Sequence, residues 1–301
     1  MTTAHPIGFI GIGNMGAPMV RCLAKAGHKV LMYDMRRAAM EPLIDAAKGI
    51  VAANGPGDIA GQCQIVITML PESRHVRDAI LGANGIVTID KGFGKGSVIV
   101  DMSSSFPLDT RSLGEALAPK GIGLVDAPVS GGVGKAVTGT LAIMCGGDSA
   151  LIDCVAPVLT AMGTIHRTGA LGSGHAMKAL NNYVSAAGLV ATAEALIVGK
   201  KFGLDGSVMT KVLNASTGRN NTTENKAERF MLSRKFDSGF ALALMEKDVG
   251  MARRLAEELG VGADELAFVS SYLTRALASL GKDADHTAVL QFAETVKAAK
   301  A

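Results

Sequence analysis

The segment from Gly172 to Asn182 carries a combination of side chains suited to acid–base chemistry, a lysine followed by two asparagines. Gly and Ser residues precede a stretch, from Ala176 to about Lys201, that lacks proline and predicts a long helix. In a helix, Asn181 and Asn182 share a face with Lys178. This cation and these two amides could donate hydrogen bonds to a carboxylate or hydroxyl, or they could form a solvated helix face.

A second group of candidate residues lies near the N-terminus, where Ile7–Ile10 predicts a strand and Ala17–Ala26 a helix. The glycines between them have distinct uses in a dinucleotide-binding turn. The first permits a tight turn, the second lets the backbone approach a pyrophosphate, and the third lets the helix pack close to the strand. The candidate cofactor contacts in this turn are Gly11, Gly13, Asn14, Met15 and Gly16.

Asp34 ends a second predicted strand, 28–33, and lies where a carboxylate is expected to accept hydrogen bonds from an adenosine ribose. Its charge would repel the 2′-phosphate of NADP, which favours NAD as the cofactor. Arg36 and Arg37 could partly offset this repulsion, so NADP stays possible. The alternative is that Asp34 is only a turn or cap residue before the next helix.

The elements that must position these residues form an alternating pattern of strands and helices. After a helix pattern at 38–48, apolar runs at 50–53, 65–70, 98–100 and 123–126 predict strands of a parallel sheet covered on both faces. Ligands bind beyond the carboxyl ends of such strands. This rule places Leu70-Pro71 and the serines 103–105 at the cofactor, although Ser105 is better interpreted as a cap of the following helix.

The segment Ser130-Gly131-Gly132 follows the strand at 123–126 and predicts a glycine-rich loop. Exposed backbone N–H groups and the Ser130 hydroxyl would form a cradle for a carboxylate. As a local pattern it could equally be an ordinary loop.

The second half of the chain has no convincing strand after Ala176. The sequence therefore predicts an α/β protein, with an N-terminal Rossmann-type doubly wound sheet and a C-terminal all-α domain. The predicted domains are residues 1–168 and 169–301, the second beginning with a long interdomain helix. Predicted helices lie near 176–201, 206–214, 223–233, 240–259, 264–280 and 285–299.

The composition excludes several classes of function. The formal net charge is +3, and no cluster of Lys and Arg with aromatic residues suggests nucleic-acid binding. The four cysteines lack metal-ligand spacing and lie in apolar contexts, as expected for reduced, buried thiols in a cytoplasmic protein without a metal site. The apolar segment Tyr183–Val198 contains Glu194 and is too short for a convincing membrane span. It instead predicts a homo-oligomer that covers this surface.

Five separated motifs together resemble the β-hydroxyacid dehydrogenase family over nearly the whole chain. They are Gly8 to Met19, Met69-Leu70-Pro71, Asp126 to Gly132, the Gly-x-Gly-x-x-x-Lys-x-x-Asn-Asn segment at 172–182, and Lys247-Asp248.

The resemblance implies an NAD(P)-dependent oxidoreductase that transfers a hydride between the cofactor and a small β-hydroxy acid, such as 3-hydroxyisobutyrate or a tartronate semialdehyde/glycerate pair. It implies that Lys178 is the general acid/base. The implied substrate-binding residues are Ser130, Gly131, Gly132, Asn182 and Lys247. The implied cofactor contacts are Leu70, Pro71, Ser104 and again Lys247.

One departure and two alternatives accompany this resemblance. The polar segment 216–223 stands where some relatives have an aromatic residue, which favours a polar or larger substrate than 3-hydroxyisobutyrate. A 6-phosphogluconate-dehydrogenase-like activity is one alternative, but its motif carries a histidine that residues 179–181 lack. A non-catalytic dinucleotide-binding module is the other, and the presence of Lys178, Ser130 and Asn182 argues against it.

Overall fold

The computed structural model describes residues 5–44, 49–89 and 92–296. The chain divides into two compact units, Met1–Lys178 and Ala179–Ala301. The division falls inside a helix that runs from Ser173 to Phe202, so one continuous helix contributes residues to both units.

The first unit is built on a sheet to which the described residues contribute nine strands. They are β1 Ile7–Ile10, β2 Val30–Tyr33, β3 Ile50–Ala52, β4 Ile65–Thr68, β5 Val98–Asp101, β6 Gly123–Asp126, β7 Val129–Ser130, β8 Leu141–Gly146 and β9 Gly163–Gly169. Their order is β3-β2-β1-β4-β5-β6-β8-β7, with β9 paired to β8. Strands β1 to β6 are parallel, and the order reverses between β1 and β4. This confirms the predicted Rossmann-type sheet and places the ligand-binding crevice at that switch point.

One part of the sheet differs from the all-parallel prediction. Strand β8 runs antiparallel to β6 and to β7, where Val129 pairs with Ile143. The physical reason is the short connection from β7 to β8, since a parallel crossover needs a dozen or more residues. Strand β9 returns to the parallel direction beside β8 because a full helix, Ser149–Leu159, connects the two.

The helices of the first unit are α1 Gly16–Lys25, α2 Arg37–Ile44, α3 Pro56–Gln62, α4 Ser73–Leu81, α5 Pro107–Leu117, α6 Gly132–Thr138 and α7 Ser149–Leu159. Residues 45–48 of the predicted helix at 38–48 lie outside the described residues. Alternate strand residues enter two separate cores: Ile7 and Phe9 pack in one, and Ile10 packs in the other. Helices therefore cover both faces of the sheet, as the near-continuous apolar strands predict.

The second unit is helical, which confirms the predicted all-α region. Its helices are α8 Ser173–Phe202, which begins in the first unit, α9 Gly206–Asn214, α10 Asn221–Asn225, α11 Leu242–Glu258, α12 Asp264–Leu280 and α13 Val289–Thr295. Two of the predicted helices each consist of two different helical segments. The one at 223–233 is α10 followed by a π-helical segment, Ala227–Leu232, and the last begins with a 3₁₀ turn, His286–Ala288. Residues 297–299 of the last prediction lie outside the described residues.

Helix α8 has a buried side and an exposed apolar side. Leu189 and Ala193 are fully buried in the core of the second unit, whereas Val184 and Val198 are 67% and 69% exposed. Within the described residues, α8 alone is long and apolar enough to cross a membrane by length and composition. The core helix of a soluble protein passes the same test.

Candidate active site

The glycine turn after β1 has the geometry that a bound pyrophosphate requires. Gly11 adopts φ +103°, and a Cβ there would lie 2.3 Å from the Met69 carbonyl oxygen. A Cβ on Gly16 would lie 2.0 Å from the Gly11 carbonyl oxygen, so this glycine permits close helix–strand packing. Gly13 would meet nothing within 4 Å, which leaves its backbone open to a ligand. The packing around the three glycines is compatible with a dinucleotide-binding turn, and their contact with a cofactor stays a prediction.

No side chain caps the N-terminus of helix α1, whose Ala17 N–H donates to the Gly13 carbonyl oxygen at 3.0 Å. Met15 is the N-cap and makes no side-chain capping bond, and the first turn contains no acidic residue. Asn14 is exposed and Met15 is half-buried beside this turn. The positive end of the helix dipole and the first amides suit a pyrophosphate.

Asp34 is tied to the glycine turn. Its Oδ2 accepts a hydrogen bond from the Ile12 backbone N–H at 2.8 Å, and its Oδ1 accepts one from the Arg36 N–H at 2.8 Å. The Arg36 side chain is largely exposed, with Nε 3.6 Å from Oδ1. The carboxylate thus acts as a turn residue, and its remaining lone pairs stay able to accept from ribose hydroxyls. The two interpretations of Asp34 are compatible.

The loops after β4 and β5 are joined by a hydrogen bond at the carboxyl edge of the sheet. The Leu70 N–H donates to Ser103 Oγ at 2.9 Å. Leu70 and Ser104 are half-buried and Pro71 is exposed, so all three have surface at this edge.

The capping role predicted for Ser105 is wrong. Phe106 is the N-cap of α5, and its N–H donates to Ser73 Oγ at 2.8 Å. Ser105 instead donates its hydroxyl to the buried carboxylate of Asp101 at 2.7 Å. The Ser105 hydroxyl bonds the Asp101 carboxylate rather than the N-terminus of α5. A buried carboxylate without hydrogen-bond partners would cost more free energy than an uncapped helix end.

The segment Ser130-Gly131-Gly132 is more ordered than the predicted loop. Ser130 ends the short strand β7, Gly131 caps α6, and Gly132 is the first residue of that helix. Gly131 and Gly132 have φ values of +132° and +66°, which glycine adopts without strain. Ser130 is half-buried and both glycines are exposed, so this backbone is accessible to a small acid.

Lys178 is 9% exposed and lies in the second turn of α8. The glycines before it allow the helix to start in close contact with the sheet. Gly172 has φ +88°, and a Cβ on Gly174 would lie 2.2 Å from the Met144 carbonyl oxygen. The Gly-x-Gly pattern therefore fixes where the helix begins, and with it the backbone position of Lys178.

Asp126 is a buried carboxylate whose contacts at the start of α8 sequence reasoning missed. This fully buried carboxylate accepts hydrogen bonds from the backbone N–H groups of Gly172 and His175, both at 2.8 Å. It satisfies donors that the first turn of α8 would otherwise leave unpaired. The available signal was an acidic residue at the end of a buried strand, but its partners are 46 and 49 residues away in the sequence.

In the second unit, Asn182 and Lys247 are linked through Asp248. Asn182 Nδ2 donates to Asp248 Oδ2 at 2.6 Å, while its Oδ1 accepts from Asn181 Nδ2 at 3.1 Å. Lys247 Nζ lies 3.6 Å from Asp248 Oδ1. The structure thus brings together two of the predicted substrate-binding residues, and the buried Asp248 orients the Asn182 amide.

Two residues of the polar segment 216–223 have a structural role. Asn220 and Thr223 form a capping box at the start of α10, where the Asn220 side chain accepts from the Thr222 and Thr223 N–H groups. Such a cap is worth about 1 kcal/mol of stability. Part of the polarity that suggested a polar substrate therefore serves the fold.

The cysteines are free, and their burial varies more than predicted. Burial raises the pKa of the Cys63 and Cys145 thiols to about 12, which disfavours the reactive thiolate. Cys22 is half-buried, and Cys154 is exposed, contrary to the expectation of four buried thiols. Residues 5–44, 49–89 and 92–296 contain no group of three or more His, Cys, Asp or Glu side chains that could hold a metal ion.

The fold and the glycine turn define a dinucleotide-binding protein of the Rossmann class, and comparisons with known proteins narrow the class. The family model for the NAD binding domain of 6-phosphogluconate dehydrogenase matches residues 6–172. The model for NAD-binding of NADP-dependent 3-hydroxyisobutyrate dehydrogenase matches residues 172–293.

Individual relatives agree with these matches. The chain is 38% identical to 2-(hydroxymethyl)glutarate dehydrogenase of Eubacterium barkeri, covering 86% of this chain and 84% of that protein. It is 37% identical to the mitochondrial 3-hydroxyisobutyrate dehydrogenase of Bos taurus, covering 84% and 76%. A solved structure, Mycobacterium tuberculosis 3-hydroxyisobutyrate dehydrogenase with L-serine, has a TM-score of 0.84 at 31% identity and covers 96% and 99% of the two chains.

The chain belongs to the β-hydroxyacid dehydrogenase family. It is an NAD(P)-dependent hydroxyacid dehydrogenase.

Proposed function

We propose that this enzyme interconverts a small β-hydroxy acid and its carbonyl form, with Lys178 as the general acid/base. The observation that carries the proposal is the burial of a lysine, 9% exposed, on a helix whose start is fixed by Gly174 and Asp126. An amine accepts a proton only in its neutral form, and burial favours that form over the ammonium ion. In the reducing direction, the same nitrogen returns the proton to the carbonyl oxygen.

The cofactor is held by the glycine turn and Asp34, with Leu70, Pro71 and Ser104 as further contacts. When bound, NAD(P) supplies or accepts the hydride. The carboxylate of Asp34, with its backbone partner at 2.8 Å, supports a preference for NAD. Arg36, 3.6 Å from that carboxylate, is the cation through which NADP could be accepted.

The substrate carboxylate is bound by Ser130, Gly131 and Gly132. The positive φ values of the two glycines and their exposure support this role, because the backbone N–H groups are accessible to an anion. Asn182 orients the reacting end of the substrate, and Lys247 contributes a positive charge to both substrate and cofactor. The hydrogen bond from Asn182 to Asp248 at 2.6 Å supports an ordered amide.

The substrate class is a β-hydroxy acid with a primary or secondary alcohol beside a carboxylate. The names of the relatives span 2-(hydroxymethyl)glutarate and 3-hydroxyisobutyrate, and the solved relative is described with L-serine. Among these, the residues 216–223 that are not committed to the capping box favour a polar substrate.

The direct test is an initial-rate screen of 3-hydroxyisobutyrate, 2-(hydroxymethyl)glutarate, serine, glycerate and threonate, with NAD and NADP in parallel. The expected result is a clear preference for NAD and turnover of at least one polar β-hydroxy acid. An α-hydroxy acid such as lactate, which lacks the β-hydroxyl, is the matched negative control. Turnover of lactate with none of the β-hydroxy acids would contradict the proposal.

We further propose that the enzyme is cytoplasmic and works as a homo-dimer or tetramer. The exposed valines of α8, Val184 and Val198, support an interface on this helix because they leave apolar surface in contact with water. Light scattering of the purified protein tests the assembly. A monodisperse monomer at micromolar concentration would overturn it.

A further inference from the structure

The His175 side chain is the centre of a buried hydrogen-bond network in the first unit. The ring is inaccessible to solvent. Its Nε2 lies 3.1 Å from the Ser103 carbonyl oxygen, and its Nδ1 lies 2.8 Å from Thr110 Oγ1. Because a carbonyl oxygen can only accept, Nε2 must carry a hydrogen and donate it. One ring thereby connects the start of α8 to the loop after β5 and to helix α5.

Ser103 extends this network to the loop after β4. Its Oγ accepts from the Leu70 N–H at 2.9 Å, while its own N–H donates to the buried Asp101 carboxylate at 3.0 Å. A continuous set of contacts therefore runs from Leu70 through Ser103 to the ring of His175. Leu70 is one of the residues that we propose to contact the cofactor.

The backbone of His175 is fixed independently of its ring. Its N–H donates to Asp126 Oδ2 at 2.8 Å, so the first turn of α8 is held through both the main chain and the side chain. Lys178 follows three residues later, one helical turn away on the same side of the helix. A small rotation of this first turn would move the Lys178 amine by a comparable or larger distance, because the amine stands at the end of a long side chain.

We propose that His175 is a positioning residue for Lys178. Its ring couples the cofactor-side loops after β4 and β5 to the helical turn that carries the acid/base, so that the amine is held at a fixed distance from the reacting atoms. The proposal rests on the role proposed above for Lys178. A misplacement of the catalytic group by about 1 Å can reduce turnover by about 10²-fold. The position of this helical turn therefore matters for the rate, and the buried imidazole of His175 serves to fix it.

The chemistry of the ring identifies which substitutions test the proposal. His175→Leu keeps an apolar group of similar volume but removes the imidazole that contacts the Ser103 carbonyl and the Thr110 hydroxyl, of which the hydroxyl keeps its bond to the Phe106 carbonyl at 3.3 Å. The amide of His175→Gln has N–H groups that can donate to the Ser103 carbonyl and an oxygen that can accept from the Thr110 hydroxyl, so it can serve both groups. His286→Leu is the matched control, because this buried histidine of the second unit bonds the Phe240 carbonyl at 3.0 Å and lies outside the network.

The experiment compares these three variants with the wild type in two measurements. Steady-state kinetics separates kcat from KM with saturating NAD and the best hydroxy acid. Hydrogen exchange, followed by mass spectrometry on the cofactor-free protein, reports on the amides of residues 69–73 and 172–178 without any turnover. Lys178→Met is assayed in parallel.

We expect His175→Leu to lower kcat by about 10²-fold with little change in KM, and to accelerate exchange in both segments. His175→Gln should restore most of the turnover and slow exchange again, and His286→Leu should lose stability without losing kcat. Wild-type kcat and exchange in His175→Leu would overturn the proposal. So would a His175→Gln variant as impaired as His175→Leu, since that result marks a loss of packing only.

Two further variants complete the test. If His175→Leu does not fold, Thr110→Val removes the hydroxyl partner of Nδ1 and should lower kcat in the same direction. Unchanged kcat and exchange in Thr110→Val would overturn the proposal. Wild-type turnover in Lys178→Met would instead refute the proposed function, and the exchange data would still show whether the two segments are coupled.

Discussion

Replacement of Gly174 by alanine should destabilise the protein, although alanine is the better helix former. Gly174 lies in the first turn of α8, where a Cβ would stand 2.2 Å from the Met144 carbonyl oxygen and 2.8 Å from Asp126 Oδ2. The first of these atoms belongs to the backbone of β8 and cannot rotate away. The helix start would have to move off the sheet to accommodate a single methyl group.

The magnitude follows from two opposing terms. Alanine gains about 1 kcal/mol over glycine from helix propensity. Overpacking costs typically about 1–3 kcal/mol, and a contact with a backbone oxygen at 2.2 Å belongs at the upper end of that range. We therefore expect Gly174→Ala to lower the free energy of unfolding by about 2 kcal/mol.

Replacement of Gly250 by alanine is a matched control, for which we expect a change of opposite sign in the free energy of unfolding. Gly250 lies inside α11, and a Cβ there would meet nothing within 4 Å. The same substitution should therefore stabilise the protein by about 1 kcal/mol. Urea unfolding of both variants, followed by far-UV circular dichroism, measures the two changes. Equal effects of the two substitutions, or a stabilised Gly174→Ala, would refute the argument that close packing fixes the start of α8.

Three more predictions concern charge and binding. Asp34→Ala should raise the dissociation constant for NADH by about tenfold or more, because it removes an acceptor of charged hydrogen bonds worth about 1.5–3 kcal/mol. Unchanged affinity for NADH, measured by calorimetry, would contradict this prediction. Ser130→Ala should raise KM for the hydroxy acid by about tenfold while NADH binding is unchanged. Burial acts to raise the pKa of Asp285, but hydrogen bonds from His286, Thr287 and Ser238 outweigh it and hold this pKa below its ordinary value. Its contribution to stability is therefore present above about pH 4 and lost as the pH falls further. Asp285→Asn should flatten the stability of the protein between about pH 5 and pH 2 in acid unfolding curves, and a slope equal to that of the wild type would show that Asp285 is not responsible.

The sequence predicts the parts of the fold that depend on local pattern. The continuous apolar run Ile7–Ile10 is strand β1 with the predicted bounds, and α12 spans the predicted residues 264–280. The close packing at Gly11 and Gly16 follows from the turn chemistry alone, because a Cβ at either position would lie within 2.3 Å of a backbone oxygen.

The missed features depend on partners distant in the sequence. The capping of α8 by Asp126 joins residues 46 and 49 positions apart, and the contact of His175 with Ser103 spans 72. No local period or motif encodes such pairs. The short strand β7 was missed for a similar reason. The glycines that follow it indicate a loop, and Val129 and Ser130 form a strand through their pairing with β8.

The central claim is that Lys178 moves the proton in hydride transfer, and the most direct measurement is the turnover of Lys178→Met with a β-hydroxy acid. Lys200→Met, at the exposed far end of the same helix, is the matched control. We predict that kcat falls by about 10²–10⁴-fold in Lys178→Met, while calorimetry shows NADH bound with wild-type affinity and Lys200→Met keeps full activity. Turnover in Lys178→Met equal to that of Lys200→Met would contradict the claim.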